Sequence, residues 1–158
     1  MNDVCTPVIV RQVPVDLVRP LRHRVLRAGL PEESVHTERD DDPDTVHLAA
    51  FAGDDVIGVV TMFPEPFPEA PGRSAMRFRW MAVDETRRGS GAGTALLQHA
   101  ATISEDRSLE LMWAHGRDTA QGFYERLGFH VSDYGYIDEI TNVGHHHVVI
   151  ETAQMAGR

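Results

Sequence analysis

The sequence predicts an α/β fold of the α+β kind, in which a mixed sheet is flanked by helices in a single domain spanning residues 1–158. Three observations predict it. Strand-like and helix-like segments succeed one another in the order β, α, β, β, β, α, β, α, β, β. A length of 158 residues with 42% hydrophobic and 25% charged composition suits one core of ordinary size. A glycine-rich run, Gly89 to Gly93, falls where a strand gives way to a helix.

The elements follow from local pattern. Pro7 to Val13 is strand-like, and Val15 to Ala28 carries Val15, Val18, Leu21, Val25 and Leu26 at helical spacing, with Pro20 expected to kink or split the helix. Glu38 to Asp44 is so acidic that it reads as an exposed, solvated loop. Val46 to Ala52 and Val56 to Phe63 read as strands joined at Gly53-Asp54-Asp55 in a tight hairpin. Pro64 to Gly72 holds four prolines in eight residues, which forbids a helix or a central strand and predicts a mobile loop carrying Glu65 and Glu69.

A strand at Met76 to Val83 follows, with Met76, Phe78, Trp80 and Ala82 on one face. Ala92, Ala95, Leu96, Ala100 and Ile103 then form the apolar stripe of a helix. Leu109 to His115 reads as a strand and Asp118 to Leu127 as a helix, with Asp118 as N-cap and Gly128 as C-terminal stop. Phe129 to Tyr136 and His146 to Glu151 close the chain as strands.

Composition excludes several chemistries. All fifteen basic residues are arginines, so a P-loop lysine, a Schiff-base lysine and a Ser-Lys hydrolase are ruled out. A net charge of −9 opposes a sequence-independent grip on nucleic acid or on an anionic membrane. No apolar stretch has the length of a membrane span, and the N-terminus lacks the pattern of a signal peptide. A lone Cys5 forms no intrachain disulfide and no cysteine-based metal site, so a reducing cytoplasm is expected. A small substrate is the expected partner, and the acidic charge suits a cationic one.

Arg87-Arg88-Gly89-Ser90-Gly91-Ala92-Gly93-Thr94 lies between strand and helix. Glycines bring backbone N–H groups close to a ligand and the helix N-terminus adds about half a positive charge, which together make an anion site. The dinucleotide fingerprint is not matched. Arg88 through Gly93, after a strand ending Trp80-Met81-Ala82-Val83, resembles the acetyl-CoA signature [RQ]-x-x-G-x-[GA] of the GNAT superfamily of N-acetyltransferases. Ala120 through Phe129 resembles that family's A-x-x-F-Y-x-x-L-G-F motif at the usual separation. The likeness extends over about residues 7–151.

The resemblance implies a GNAT-type fold and a direct transfer of an acetyl group from acetyl-CoA, as co-substrate, to a primary amine of a small molecule or peptide. It places the pyrophosphate on Arg88, Gly89, Ser90, Gly91, Ala92, Gly93 and Thr94, and the pantetheine arm along Met81, Ala82 and Val83 with Phe123 nearby. It makes Tyr124 the proton donor to the departing thiolate. A homodimer is common in the family. His115 stands where relatives often have an asparagine and is expected either to touch the cofactor or to act as base for the amine, with Glu65, Glu69 and Asp118 as alternatives. In His145-His146-His147 alternate residues of a strand face opposite ways, so at most His145 and His147 converge and no metal site is expected. Arg19, Arg22, Arg24 and Arg27 are expected to form a solvated helix face. A non-catalytic acyl-CoA-binding module would keep the glycine turn without needing Tyr124. A nucleotide-binding regulator would leave the second motif unexplained.

Overall fold

A computed structural model describes residues 6–158, so Cys5 lies outside the described residues. Seven strands form one mixed sheet in the order β1-β2-β3-β4-β5-β7-β6. They are β1 (Val8–Gln12), β2 (Val46–Ala52), β3 (Asp55–Pro64), β4 (Ala75–Val83), β5 (Leu111–Arg117), β6 (His130–Ile137) and β7 (Gly144–Glu151). The longer helices are α2 (Ala92–Asp106) and α3 (Gln121–Leu127), with short α1 (Arg19–Leu21) and α4 (Thr152–Ala156). α4, whose Met155 is buried, follows β7 without a break and has no counterpart in the expected elements.

The chain divides into two compact units. The first takes the described chain up to Thr61 together with Trp80–Leu97. Here β1 and β2 pair antiparallel from Val8↔Ala52 to Gln12↔Leu48, and Val18, Leu21, Ala49, Val59 and Ala82 pack as one buried cluster. The helix expected over Val15 to Ala28 is not one helix. A 3₁₀ turn at Val15–Leu17, the single turn α1 and a π-type turn at Arg22–Leu26 follow one another, because Pro20 at the start of α1 supplies no N–H to extend a regular ladder backwards.

Two charged segments also differ from expectation. Glu38–Asp41 forms a 3₁₀ turn capped by Thr37 and Asp40, and the Asp40 side chain is buried. Arg22 is fully buried, so the four arginines do not make a uniformly solvated face. The two meet. Arg22 donates from Nη1 and Nη2 to the two Asp40 oxygens at 2.8 and 3.0 Å, and further to the Val35 carbonyl and Thr61 Oγ1. A buried charge is tolerated only when paired and hydrogen-bonded in this way.

The second unit takes Met62–Arg79 and Gln98–Arg158. β5 pairs antiparallel with β7 over its whole length, from Leu111↔Glu151 to Arg117↔His145. β4 and β5 run parallel but pair only at Ala75↔Leu111, Met76↔Met112 and Arg77↔Trp113. β5 starts and ends two residues later than expected, so His115 lies inside the strand and not at its end. The Pro-rich loop is anchored: Phe67 is buried, Glu65 accepts from Arg77 at 2.9 Å, and the Trp113 indole N–H donates to the Glu65 carbonyl. Asp118 does not cap α3; the residues Asp118–Ala120 form a 3₁₀ turn and Ala120 takes the cap position. Gly128 ends α3 at φ 100°, as the left-handed stop requires.

Candidate functional site

The glycine turn is built as its sequence demands. β4 ends at Val83, the Asp84 side chain caps a 3₁₀ turn by accepting from the Thr86 N–H, and α2 begins at Ala92. Gly89 and Gly91 both lie in the left-handed region, at φ 83° and 84°. A Cβ on either would meet nothing within 4 Å, so these glycines are demanded by backbone conformation and their flank is open. Ser90 Oγ accepts from the Ala92 N–H at 3.3 Å, and Arg88, Gly89, Ser90 and Gly91 are exposed. Ala92 and Gly93 are buried and Thr94 half-buried, so the turn offers its loop and first helical N–H groups, which suits an anion.

β4 carries a local distortion just before this turn. Trp80 has φ 57°, a left-handed conformation that is uncommon for a bulky residue and costs on the order of 1–3 kcal/mol. Its indole is buried, and the guanidinium carbons of Arg22 and Arg27 each lie 5.1 Å from the ring centroid. Cation–π attraction to two arginines helps hold the strained residue, and Arg22 is itself fixed by Asp40. Met81 and Val83 are half-buried beyond the distortion and Ala82 is buried against Gly58, whose missing side chain leaves room for Leu96 and Ala92.

In the second unit, Tyr124 is buried on α3 among Phe78, Phe123 and Phe129, with ring centroids 5.3 to 6.1 Å apart. It also lies over β5, where a Cβ on Gly116 would meet the Tyr124 ring at 2.9 Å. Burial pushes the phenol above its ordinary pKa, so the hydroxyl stays protonated. Phe123 is half-buried.

His115 neighbours Gly116 and therefore points to the other face of β5. There it meets an imidazole and aromatic wall: His147 is its Cα partner on β7, with ring centroids 4.7 Å apart, and Trp113 and Tyr136 lie at 5.5 and 5.4 Å. Burial, followed by the charges of Arg77, His147, His145 and Arg79, lowers the His115 pKa to about 4. Its buried Nδ1 has no hydrogen-bond partner. A neutral imidazole with so low a pKa is a weak base at neutral pH.

Glu69 reaches the same face from the Pro-rich loop. Its Oε2 accepts from His147 Nδ1 at 2.7 Å and its Oε1 from Ser132 Oγ at 2.6 Å. The hydrogen bonds from Ser132 and His147 outweigh desolvation and lower the Glu69 pKa. His146 turns to the opposite face and meets Asp118 at 2.6 Å, while His145 Nδ1 lies 2.9 Å from the Val143 carbonyl. His145 and His147 share a face but bind different partners, and no group of three His, Cys, Asp or Glu side chains among the described residues has metal-site geometry. Of the acidic alternatives, Glu65 pairs with Arg77 and Asp118 with His146, while Glu69 contacts His147, the neighbour of His115. The alternation of the His145–His147 run is legible in sequence; the arrival of Glu69, 78 residues away from His147, is not.

A mixed sheet whose fourth strand is distorted and runs through a glycine turn into a helix defines a class of acyl-CoA-dependent transferase. The acetyltransferase (GNAT) family model matches residues 15–129, and the chain belongs to that family of enzymes, which use acyl-CoA and act on amine acceptors. It is 28% identical over 143 residues to the uncharacterized N-acetyltransferase YitI of Bacillus subtilis, covering 90% of this chain and 95% of the relative. Among solved structures, FeeM, an N-acyl amino acid synthase from uncultured soil microbes, superposes with TM-score 0.75 at 14% identity, covering 94% of this chain and 93% of that one. The NatC complex bound to Gag peptide and CoA gives TM-score 0.72 at 14% identity, covering 91% and 98%. At such identities these structures share the fold. No helix is long and apolar enough to cross a membrane among the described residues.

Proposed function

We propose that the chain transfers an acetyl group from acetyl-CoA directly to a primary amine of a small molecule or peptide, in the cytoplasm, with 1–158 acting as one catalytic domain. The observation that carries this reading is the pair of left-handed glycines at the start of α2, preceded by the left-handed Trp80 in β4. In this reading the backbone from Arg88 to Thr94 binds the pyrophosphate. The main chain at Met81 and Val83 holds the pantetheine arm, with Ala82 between them and Phe123 contributing an apolar contact. A backbone N–H along this stretch of β4 polarises the thioester carbonyl, as oxyanion donors do. Tyr124 donates its proton to the departing thiolate. The likeness of fold to a CoA-bound neighbour supports the choice of ligand.

The test is ligand-induced stabilisation. Acetyl-CoA binding only the folded state adds about 2.7 kcal/mol at a hundredfold excess over Kd. ATP and NAD should give no comparable shift. Gly91→Val places a β-branched residue at φ 84° and should abolish the acetyl-CoA shift, while the variant without ligand loses only about 1–2 kcal/mol because the Cβ meets no neighbour. Unchanged stabilisation in Gly91→Val removes the glycine turn from the binding site.

A further inference from the structure

We propose that His147, oriented by Glu69, takes the proton from the acceptor amine, and that His115 forms part of the wall beside it. The proposal rests on the N-acetyltransferase reading above. Glu69 accepts from Nδ1 of His147 at 2.7 Å and is itself held by Ser132 Oγ at 2.6 Å. A carboxylate accepts only, so Nδ1 carries the proton and the neutral imidazole leaves Nε2 with its lone pair. Nε2 makes no hydrogen bond among the described residues, and His147 is oriented further by stacking on Tyr134 at 4.5 Å.

The other imidazoles lack one part of this arrangement. His115 has no hydrogen bond to fix its tautomer and no carboxylate to offset a gained charge. His145 is backed by a neutral carbonyl. His146 has Asp118 behind it but faces the opposite side of the sheet from His115 and His147. The groups in contact with His147 are Glu69 from the loop, His115 and Trp113 from β5, Tyr134 from β6, and Phe67, with Ser132 and His130 beside Glu69; Arg77, which lies over Trp113 at 5.2 Å, Arg79 and His145 act on the adjoining His115 and oppose a positive charge there. Glu69 is the only acid in that set. It therefore stabilises the imidazolium that forms when His147 gains a proton.

The proton balance is complete. An acceptor arriving as an ammonium gives one proton to His147 Nε2, which later releases it to solvent. The freed lone pair forms the C–N bond to the acetyl carbon, the C–S bond breaks, Tyr124 gives its proton to the thiolate, and the second proton leaves the nitrogen to solvent, from which the tyrosinate is reprotonated, so the net products are the amide, the CoA thiol and one proton. Tyr124 lies against Gly116, on the face of β5 opposite His115, so acid and base do not exchange protons with each other.

The experiment measures thiol release from acetyl-CoA with 2-phenylethylamine, glycine, spermidine and the dipeptide Ala-Ala, and records kcat against pH with whichever amine is turned over fastest. His147→Gln should lower kcat about 10²- to 10⁴-fold and remove the acid limb of the profile, with the KM for acetyl-CoA unchanged. Glu69 is 42% exposed, so Glu69→Gln keeps the fold and should lower kcat at least about tenfold. In parallel, imidazole ¹⁵N shifts in the wild type should show neutral His147 protonated on Nδ1. Retention of rate and acid limb in His147→Gln or in Glu69→Gln overturns the proposal, as does their loss in His115→Gln or His146→Gln alone. If no amine releases thiol, the N-acetyltransferase reading fails. The nitrogen shifts then decide the pair, since a proton on Nε2 of neutral His147 leaves no base there.

Discussion

Tyr124 combines two properties that usually compete. Its ring is packed among Phe78, Phe123 and Phe129 like any core aromatic, and its motif position marks it as the proposed acid. Burial raises its pKa, which keeps the proton in place but makes the phenol a weaker acid than a thiol, so donation requires the same apolar surroundings to raise the basicity of the departing thiolate. Tyr124→Phe removes only the hydroxyl, so stability and acetyl-CoA affinity should be nearly unchanged. Single-turnover rates should fall about 10²- to 10⁴-fold where protonation limits the reaction. An acyl donor with a more acidic leaving thiol should recover part of that loss. Wild-type single-turnover rates in Tyr124→Phe would reduce the residue to packing. Sequence pointed to Tyr124 because its motif is local. His147 and Glu69 were legible only as a histidine in a run and an acid in a loop, since their pairing depends on how β7 and the Pro-rich segment are brought together.

At the scale of elements, the segment from Val15 to Leu26 shows how one proline and one buried charge override a helical pattern. The apolar spacing holds, for Val18 and Leu21 are buried, but the ladder is broken into 3₁₀, α and π turns. That irregular path turns Arg22 inwards to Asp40 and onto Trp80. Arg22→Met should leave Asp40 buried without its counter-charge and cost about 3–5 kcal/mol in denaturant unfolding. Arg22→Met combined with Asp40→Leu should recover most of it, because removing both members of a buried pair is far less costly than removing one. Equal stability of the single and double variants would mean that Asp40 finds another partner. β2 matched its expected bounds, Val46 to Ala52, because a fully apolar run ended by a glycine turn leaves little choice. β5 was displaced by two residues, because its end is set by pairing with β7 and not by its own composition.

For the whole molecule, the response to pH follows from which groups the fold shifts. His115 and His47 are lowered chiefly by burial, His115 to about 4. Asp40 is pushed up by burial and pulled down more strongly by the hydrogen bonds and charge of Arg22 and the bonds from Thr37, reaching about 2. Each of these groups binds a proton more readily when unfolded. Their contribution is therefore present above the unfolded pKa and is lost as pH falls through the folded one. Stability should decline in two stages on acidification, the first setting in below about pH 6.5 for both histidines and extending to about pH 4 for His115, the second between about pH 4 and 2 for Asp40. Thermal unfolding across that range checks it. A variant with His47→Asn and His115→Asn should flatten the first stage only, and a first stage unchanged by those substitutions would place its origin elsewhere.

The order of strands and helices, the glycine turn and the tyrosine of α3 follow from the sequence by itself, since each rests on short-range rules: hydrophobic period, left-handed glycines and a compact motif. Even the opposite facing of His146 and His147 needs only the two-residue repeat of a strand. Tertiary structure decided which charges are inside and which polar groups meet. Arg22 and Asp40 look like members of solvated charge runs until folding removes both from water and obliges them to pair. Glu69 is in sequence one of three acidic alternatives for the base, and its partners Ser132 and His147 come only with the fold. Burial and hydrogen-bond satisfaction are properties of contacts between segments distant in the chain, and no local pattern encodes them.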